Sequence, residues 1–184
     1  NNASAASADF TIQTRHNATL GERLRITSNG NVGIGTSSPT AMLHTAGSSS
    51  VAALKTPNIL EISTVSATAA TGTINYDVTT QSVLYYTTNA SGNFTLNFRG
   101  SSGTTLNTIM STSDTVTVTF LCTNGSTAYY NSAVTIDGTS VTPKWLGGTA
   151  PTSGNASAVD AYTYAIVKTG SAAFTVLASQ TKFA

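Results

Sequence analysis

Residues Arg23 to Thr45 read RLRITSNGNVGIGTSSPTAMLHT. Leu24, Ile26, Val32 and Ile34 alternate with polar residues or glycine on either side of Asn29-Gly30-Asn31, and the run ends at Gly35 and Pro39. Alternation with a period of two marks strands, and Asn-Gly is a strong hairpin signal because both residues accept positive φ. Two registers compete. A two-residue loop, Asn29-Gly30, sets Ile26 against Gly33 and divides the apolar side chains between both faces. A three-residue loop, Asn29 to Asn31, sets Ile26 against Ile34 and brings Leu24 to the same face. A slip of one residue reverses every side chain of a strand, so the three-residue register, with one apolar face, is the expected one. Arg23, Arg25 and Thr27 then occupy the other face.

Such a ribbon has no core of its own. An isolated hairpin is marginal in water, and four aliphatic side chains do not offset the entropy of ordering it. The apolar face therefore needs a cover from elsewhere.

The 184 residues allow one large or two small domains and enough chain to bury a core. Hydrophobic residues make up 40% and charged residues only 8%, with a net charge of +1, a balance that argues against disorder. Ser, Thr and Val abound while Glu, Lys, Gln and Arg are scarce, which favours strands over helices. No cluster of Lys or Arg provides an electrostatic footprint, so neither nucleic acid nor an anionic membrane is an expected partner. No apolar run reaches the roughly 20 residues of a spanning helix, and NNASAASADF is not a signal peptide. The absence of an initiating Met suggests a fragment or a processed product. Cys122 is the single cysteine; it lies in the strand-like run VTVTFLCT and reads as a buried thiol.

Before the ribbon, DFTIQTR alternates Phe10 and Ile12 with polar residues and reads as a short strand. After it, AGSSSVAA has linker composition, and from about residue 59 the texture becomes short strands at even spacing. These cover 59–65, 73–77, 82–86, 93–99, 115–122, 133–136, 140–145, 162–168 and 173–178, enough for two packed sheets. Asp137-Gly138 between VTI and TSV is a second hairpin signal. Residues 146–158, LGGTAPTSGNASA, form the longest loop without an apolar pattern, and long loops on a rigid scaffold often carry binding.

Little in the chain points to catalysis. Gly30, Gly33 and Gly35 match neither glycine-rich nucleotide fingerprint, and no Lys or helix comes after them. His16 and His44 have no ligand-spaced partners, so no metal site or cofactor is expected. The five Asp and two Glu are dispersed, and no nucleophile-elbow motif accompanies the many Ser residues. The aromatics are more informative: Tyr85-Tyr86, Tyr129-Tyr130, Trp145, Tyr162 and Tyr164. Adjacent residues on a strand point to opposite sides, so each adjacent pair offers a ring for stacking on a sugar. Core or subunit packing is the plainer role for each.

ERLRITSNGNVGIGTSSPTAMLHT resembles a repeat-like segment of bacteriophage tail fibres and tail spikes, with Arg23, Arg25, Ile26, Gly30 to Thr36, Pro39, Leu43 and His44 matching that pattern. The region from about Thr73 to VLASQTKFA is similar to C-terminal domains of virion proteins from marine phages, including those of cyanobacteria. The resemblance implies a trimer, in which three one-faced ribbons cover one another. In such a trimer His44 fits a packing or polar contact better than an axial ion site. The residues C-terminal to the motif do not match the autocleaving chaperone of endosialidase-type fibres, so assisted trimerisation and self-cleavage are not implied.

The expectation is an all-β chain: a fibrous trimerisation segment over 1–45, a linker over 46–58, and a jelly-roll-like β-sandwich knob over 59–184. Leu24, Ile26, Val32, Ile34 and Leu43 are the expected trimer interface. Tyr129, Tyr130 and Trp145 are the expected contacts to a host-surface glycan or outer-membrane receptor. The expected role is a non-enzymatic fibre or fibre tip within the virion, beside other virion structural proteins. Two rival roles are a capsid or collar decoration protein and a polysaccharide depolymerase with an intersubunit site.

Overall fold

The computed structural model describes residues 8–183. The fold is all-β, and the chain divides into two compact units between Ile59 and Leu60.

The first unit holds one four-stranded sheet. Its strands are β1 (Phe10–His16), β2 (Thr19–Ile26), β3 (Val32–Ile34) and β4 (Leu43–Thr45), in that spatial order. β1 and β2 are joined by Asn17-Ala18, both at positive φ. The β2–β3 turn has three residues, as expected, but it lies one position earlier in the chain. Thr27 and Asn31 close it, with the Thr27 amide donating to the Asn31 carbonyl at 2.9 Å and the Gly30 amide to the Thr27 carbonyl at 2.8 Å. The loop is thus Ser28 to Gly30, with Gly30 at φ 87° in the last position, where a left-handed residue ends a tight turn. This corrects the register: Ile26 pairs with Val32 and Leu24 with Ile34. All four aliphatic residues still share one face, now as two direct cross-strand pairs.

β4 runs parallel to β3, so residues 35–42 must cross over the sheet. A Cβ on Gly33 would lie 2.5 Å from the Thr36 carbonyl oxygen and 3.5 Å from Pro39, which places the crossover directly on that glycine. Gly33 shares its row with Arg25 and His44, on the side opposite Ile26 and Val32. The crossover therefore covers the polar side and leaves the apolar side clear. Residues 46–58 carry one isolated bridge, Ser48 with Val51, and no strand.

The second unit contains β5 (Ser63–Ala69), β6 (Gly72–Asp77), β7 (Val83–Thr88), β8 (Phe94–Arg99), a one-turn helix α1 (Leu106–Ile109), β9 (Thr115–Thr123), β10 (Asn131–Ile136), β11 (Thr139–Val141), β12 (Lys144–Trp145), β13 (Val159–Gly170) and β14 (Ala173–Phe183). One sheet has the order β11-β10-β8-β6 and the other β12-β14-β13-β9-β7-β5. Their inner faces share a single core. Phe94 of the smaller sheet meets Phe120 and Tyr162 of the larger at 5.3 and 5.7 Å, and Phe98 meets Tyr164 at 4.9 Å. Each such fully buried ring or aliphatic side chain stabilises the unit by roughly 1.5–3 kcal/mol.

Asp137-Gly138 forms the two-residue hairpin between β10 and β11, both residues at positive φ. The run 140–145 is split rather than continuous. Pro143 has no N–H for a ladder, and at that break the chain leaves β11 in one sheet for β12 in the other, where it pairs parallel to β14. Parallel ladders also join β5 to β7, β7 to β9, β6 to β8 and β8 to β10, a departure from the antiparallel pairing of a jelly roll.

Candidate functional site

The first candidate surface is the apolar side of the β1–β4 sheet. Register places Phe10, Ile26, Val32 and Leu43 in one continuous row across all four strands, and Ile12, Leu24, Ile34 and Thr45 in the next. The five residues expected at a trimer interface therefore share one face, and Phe10 and Ile12 extend it onto β1. Nothing within the first unit covers it: Phe10 and Leu43 are 58% and 59% exposed, and Gly33 is the one buried residue among the described residues of the unit.

The opposite side is polar and internally satisfied. Arg25 pairs with Asp9 and, at 2.7 Å, with Glu22. Asp9 also accepts a 2.9 Å bond from the Ser28 amide, and that bond, with Arg25, holds its carboxyl below the usual range. The link ties the start of β1 to the β2–β3 turn. His44 lies on this side, with Nδ1 3.3 Å from the Thr40 amide. It does not share a face with the apolar rows.

In the second unit the three aromatic candidates do not converge. Tyr129 and Tyr130 lie outside any strand, so the rule of one ring inward and one outward does not act on them. Both are half-buried and packed against the core. Trp145 is half-buried in β12, meets Tyr164 at 6.1 Å, and lines a cleft of about 600 Å³ that includes neither tyrosine. Tyr162 and Tyr164 are fully buried. Their hydroxyls belong to a polar network inside the sandwich.

That network centres on Asp160, whose side chain is fully buried. Oδ2 accepts from the Asn155 amide at 3.0 Å and from the side-chain amides of Asn124 and Gln180 at 3.2 Å each; Oδ1 has no partner. Burial pushes the carboxyl up from its ordinary value, against these hydrogen bonds. The Gly154 backbone passes so close that a Cβ there would lie 2.2 Å from the Tyr129 carbonyl oxygen and 2.8 Å from Asp160. Asp160 therefore pins the end of the long 146–158 loop to β13. A lone Asp in a run of alternating residues carries no sequence signal for that role.

Cys122 is buried, and desolvation pushes its thiol up to about 12. It is not a nucleophile at neutral pH. Among the described residues no group of three or more His, Cys, Asp or Glu is arranged to hold a metal ion.

Comparison with protein-family models, with curated proteins and with solved structures finds no match. The functional reading therefore rests on the surfaces themselves and on the motif that builds the first of them.

Proposed function

We propose that the chain is a structural, non-enzymatic component of a bacteriophage particle, a tail fibre or fibre tip. It trimerises through the first unit and meets the host cell surface through the second. The observation that carries this reading is the pair of apolar rows running uncovered across a sheet that has no buried hydrophobic residue of its own. Its seven large apolar side chains each stand to contribute on the order of 1 kcal/mol when covered. A second and third copy of the same face supply that cover, since the face is uncharged and complementary to itself. The number three comes from the resemblance of residues 22–45 to fibre shafts.

The second unit then presents its loops and sheet edges to a glycan or an outer-membrane receptor, and further virion structural proteins are its partners in the particle. Locating the chain in a reconstruction of the particle tests this assignment. Density at a fibre tip supports it, and density on the capsid surface replaces it with a decoration role.

A further inference from the structure

β12 is only two residues long, yet its side chains form the rib between two clefts. Trp145, opposite Ala178 in the ladder to β14, turns toward the core, Lys144, opposite Leu177, leaves the ladder on the outer side, and both residues line both clefts. The larger cleft is lined by Ser140 and Val141 of β11, by Thr142, Lys144 and Trp145, and by Pro151 of the long loop. Neither it nor the adjoining cleft of about 520 Å³ has an acidic side chain in its walls.

Three polar side chains of this cleft, Ser140, Thr142 and Lys144, are uncommitted, whereas Asn131 and Ser132, which also line it, are spent on the Phe94 and Ala133 carbonyls. Of the basic side chains in the second unit, Arg99 pairs with Asp77, Lys168 donates to the carbonyls of Asn107 and Met110, and Lys182 reaches Ser153. Among the described residues, Lys144 has no hydrogen bond or ion pair, and the hydroxyls of Ser140 and Thr142 have no partner either. The loop that forms the far wall is held in place, since Asn155 is bound to Asp160 and the Ser153 carbonyl accepts from Gln180 at 3.1 Å.

We propose that this cleft binds a carboxylated sugar residue of a surface glycan, an inference that rests on reading the second unit as a surface-binding knob. An indole offers a flat apolar surface to the C–H face of a pyranose, and free hydroxyls exchange hydrogen bonds with those of the sugar. The single cation sets the charge class. An unpaired ammonium with no carboxylate around it gains a charge-assisted hydrogen bond from an acidic sugar and nothing comparable from a neutral one. A polyphosphate or a nucleic acid calls for a row of cations, and this cleft has one.

The test titrates the full chain with polygalacturonate oligosaccharides, with dextran as the neutral probe and dextran sulfate as the charge control, and reads molar mass on the same samples. The expected result is binding of polygalacturonate and no binding of dextran. Lys144→Gln weakens binding by about tenfold and Lys144→Arg largely retains it. Lys144 is exposed, so these variants leave the fold intact; Trp145→Phe, which keeps a ring against Tyr164, is expected to weaken binding as well. Absence of polygalacturonate binding, unchanged affinity in Lys144→Gln, or equal binding of dextran sulfate overturns the site. A trimer that fails to bind polygalacturonate overturns the site alone, whereas a monomer overturns the fibre reading and leaves the titration to judge the site.

Discussion

Ile26 sits directly across from Val32 in the β2–β3 ladder, and Phe10 and Leu43 carry that row to both edges of the sheet. On the reverse side of the same strands, Gly33 receives the crossover that leads to β4. The motif, with β1 added at its edge, thus builds a sheet whose two sides differ: one closed by its own chain, the other apolar and open within the unit.

The closed side predicts an asymmetry between two glycines of the motif. Gly33→Ala places a methyl 2.5 Å from the Thr36 carbonyl oxygen and forces the crossover off the sheet, at a cost of about 1–3 kcal/mol. Gly30→Asn keeps a residue that tolerates the left-handed region at a position with nothing within 4 Å, at a cost below about 1 kcal/mol. Thermal unfolding of the two variants measures the difference, which equal losses would contradict.

The two units are expected to respond to acid in opposite directions. Asp160 is raised by burial, so the folded second unit holds its proton more tightly than the unfolded chain does. Its contribution is present at low pH and is lost as pH rises from the ordinary 3.8 through the folded value. Asp9 is lowered by Ser28 and Arg25, so its contribution is present above 3.8 and is lost as pH falls through its folded value. Hydrogen exchange between about pH 7 and about pH 3 should show the second unit gaining protection before the first sheet loses it. The first trend should vanish in Asp160→Asn.

Tyr164 donates to Asn131 Oδ1 at 3.0 Å, and the Asn131 side-chain amide bridges the Phe94 and Ala133 carbonyls at 3.1 and 2.8 Å. Tyr164→Phe leaves that buried acceptor unpaired and should lower the stability of the second unit by about 1–3 kcal/mol. A denaturant midpoint unchanged from the parent would show that the bond contributes nothing.

Cys122 provides an internal probe of the same core. With its thiol buried and pushed up to about 12, it should resist iodoacetamide in the folded chain at mildly alkaline pH and react once the second unit unfolds. Rapid labelling under native conditions would contradict a thiol sealed between the two sheets.

Much of this architecture is legible in the residues. Alternation in TVTVTFLC and in Leu24, Ile26, Val32 and Ile34 identifies strands, and Asp137-Gly138 identifies its hairpin, because pleat periodicity and positive φ are local properties. The ribbon register is harder. Asn29-Gly30-Asn31 supports several loops, and the choice depends on the Thr27–Asn31 closure and on Gly30 taking the left-handed position, both set by backbone hydrogen bonds. The parallel ladders are not written in any period, since a strand alternates in the same way whichever direction its neighbour runs. Pro143 is the residue that signals the break between β11 and β12. Tyr129 and Tyr130 are placed by packing outside a strand, where alternation says nothing, and the Asp160 network joins residues spread from Asn124 to Gln180.

The central claim is that the open apolar face is one third of an intersubunit structure. Light scattering of the purified chain measures this directly. The account predicts a molar mass three times the 18.8 kDa of one chain, and a monomer for Ile26→Asp with the near-ultraviolet signal of the second unit's core retained. A parent chain that remains monomeric while the amides of β1 to β4 stay protected from exchange would contradict it.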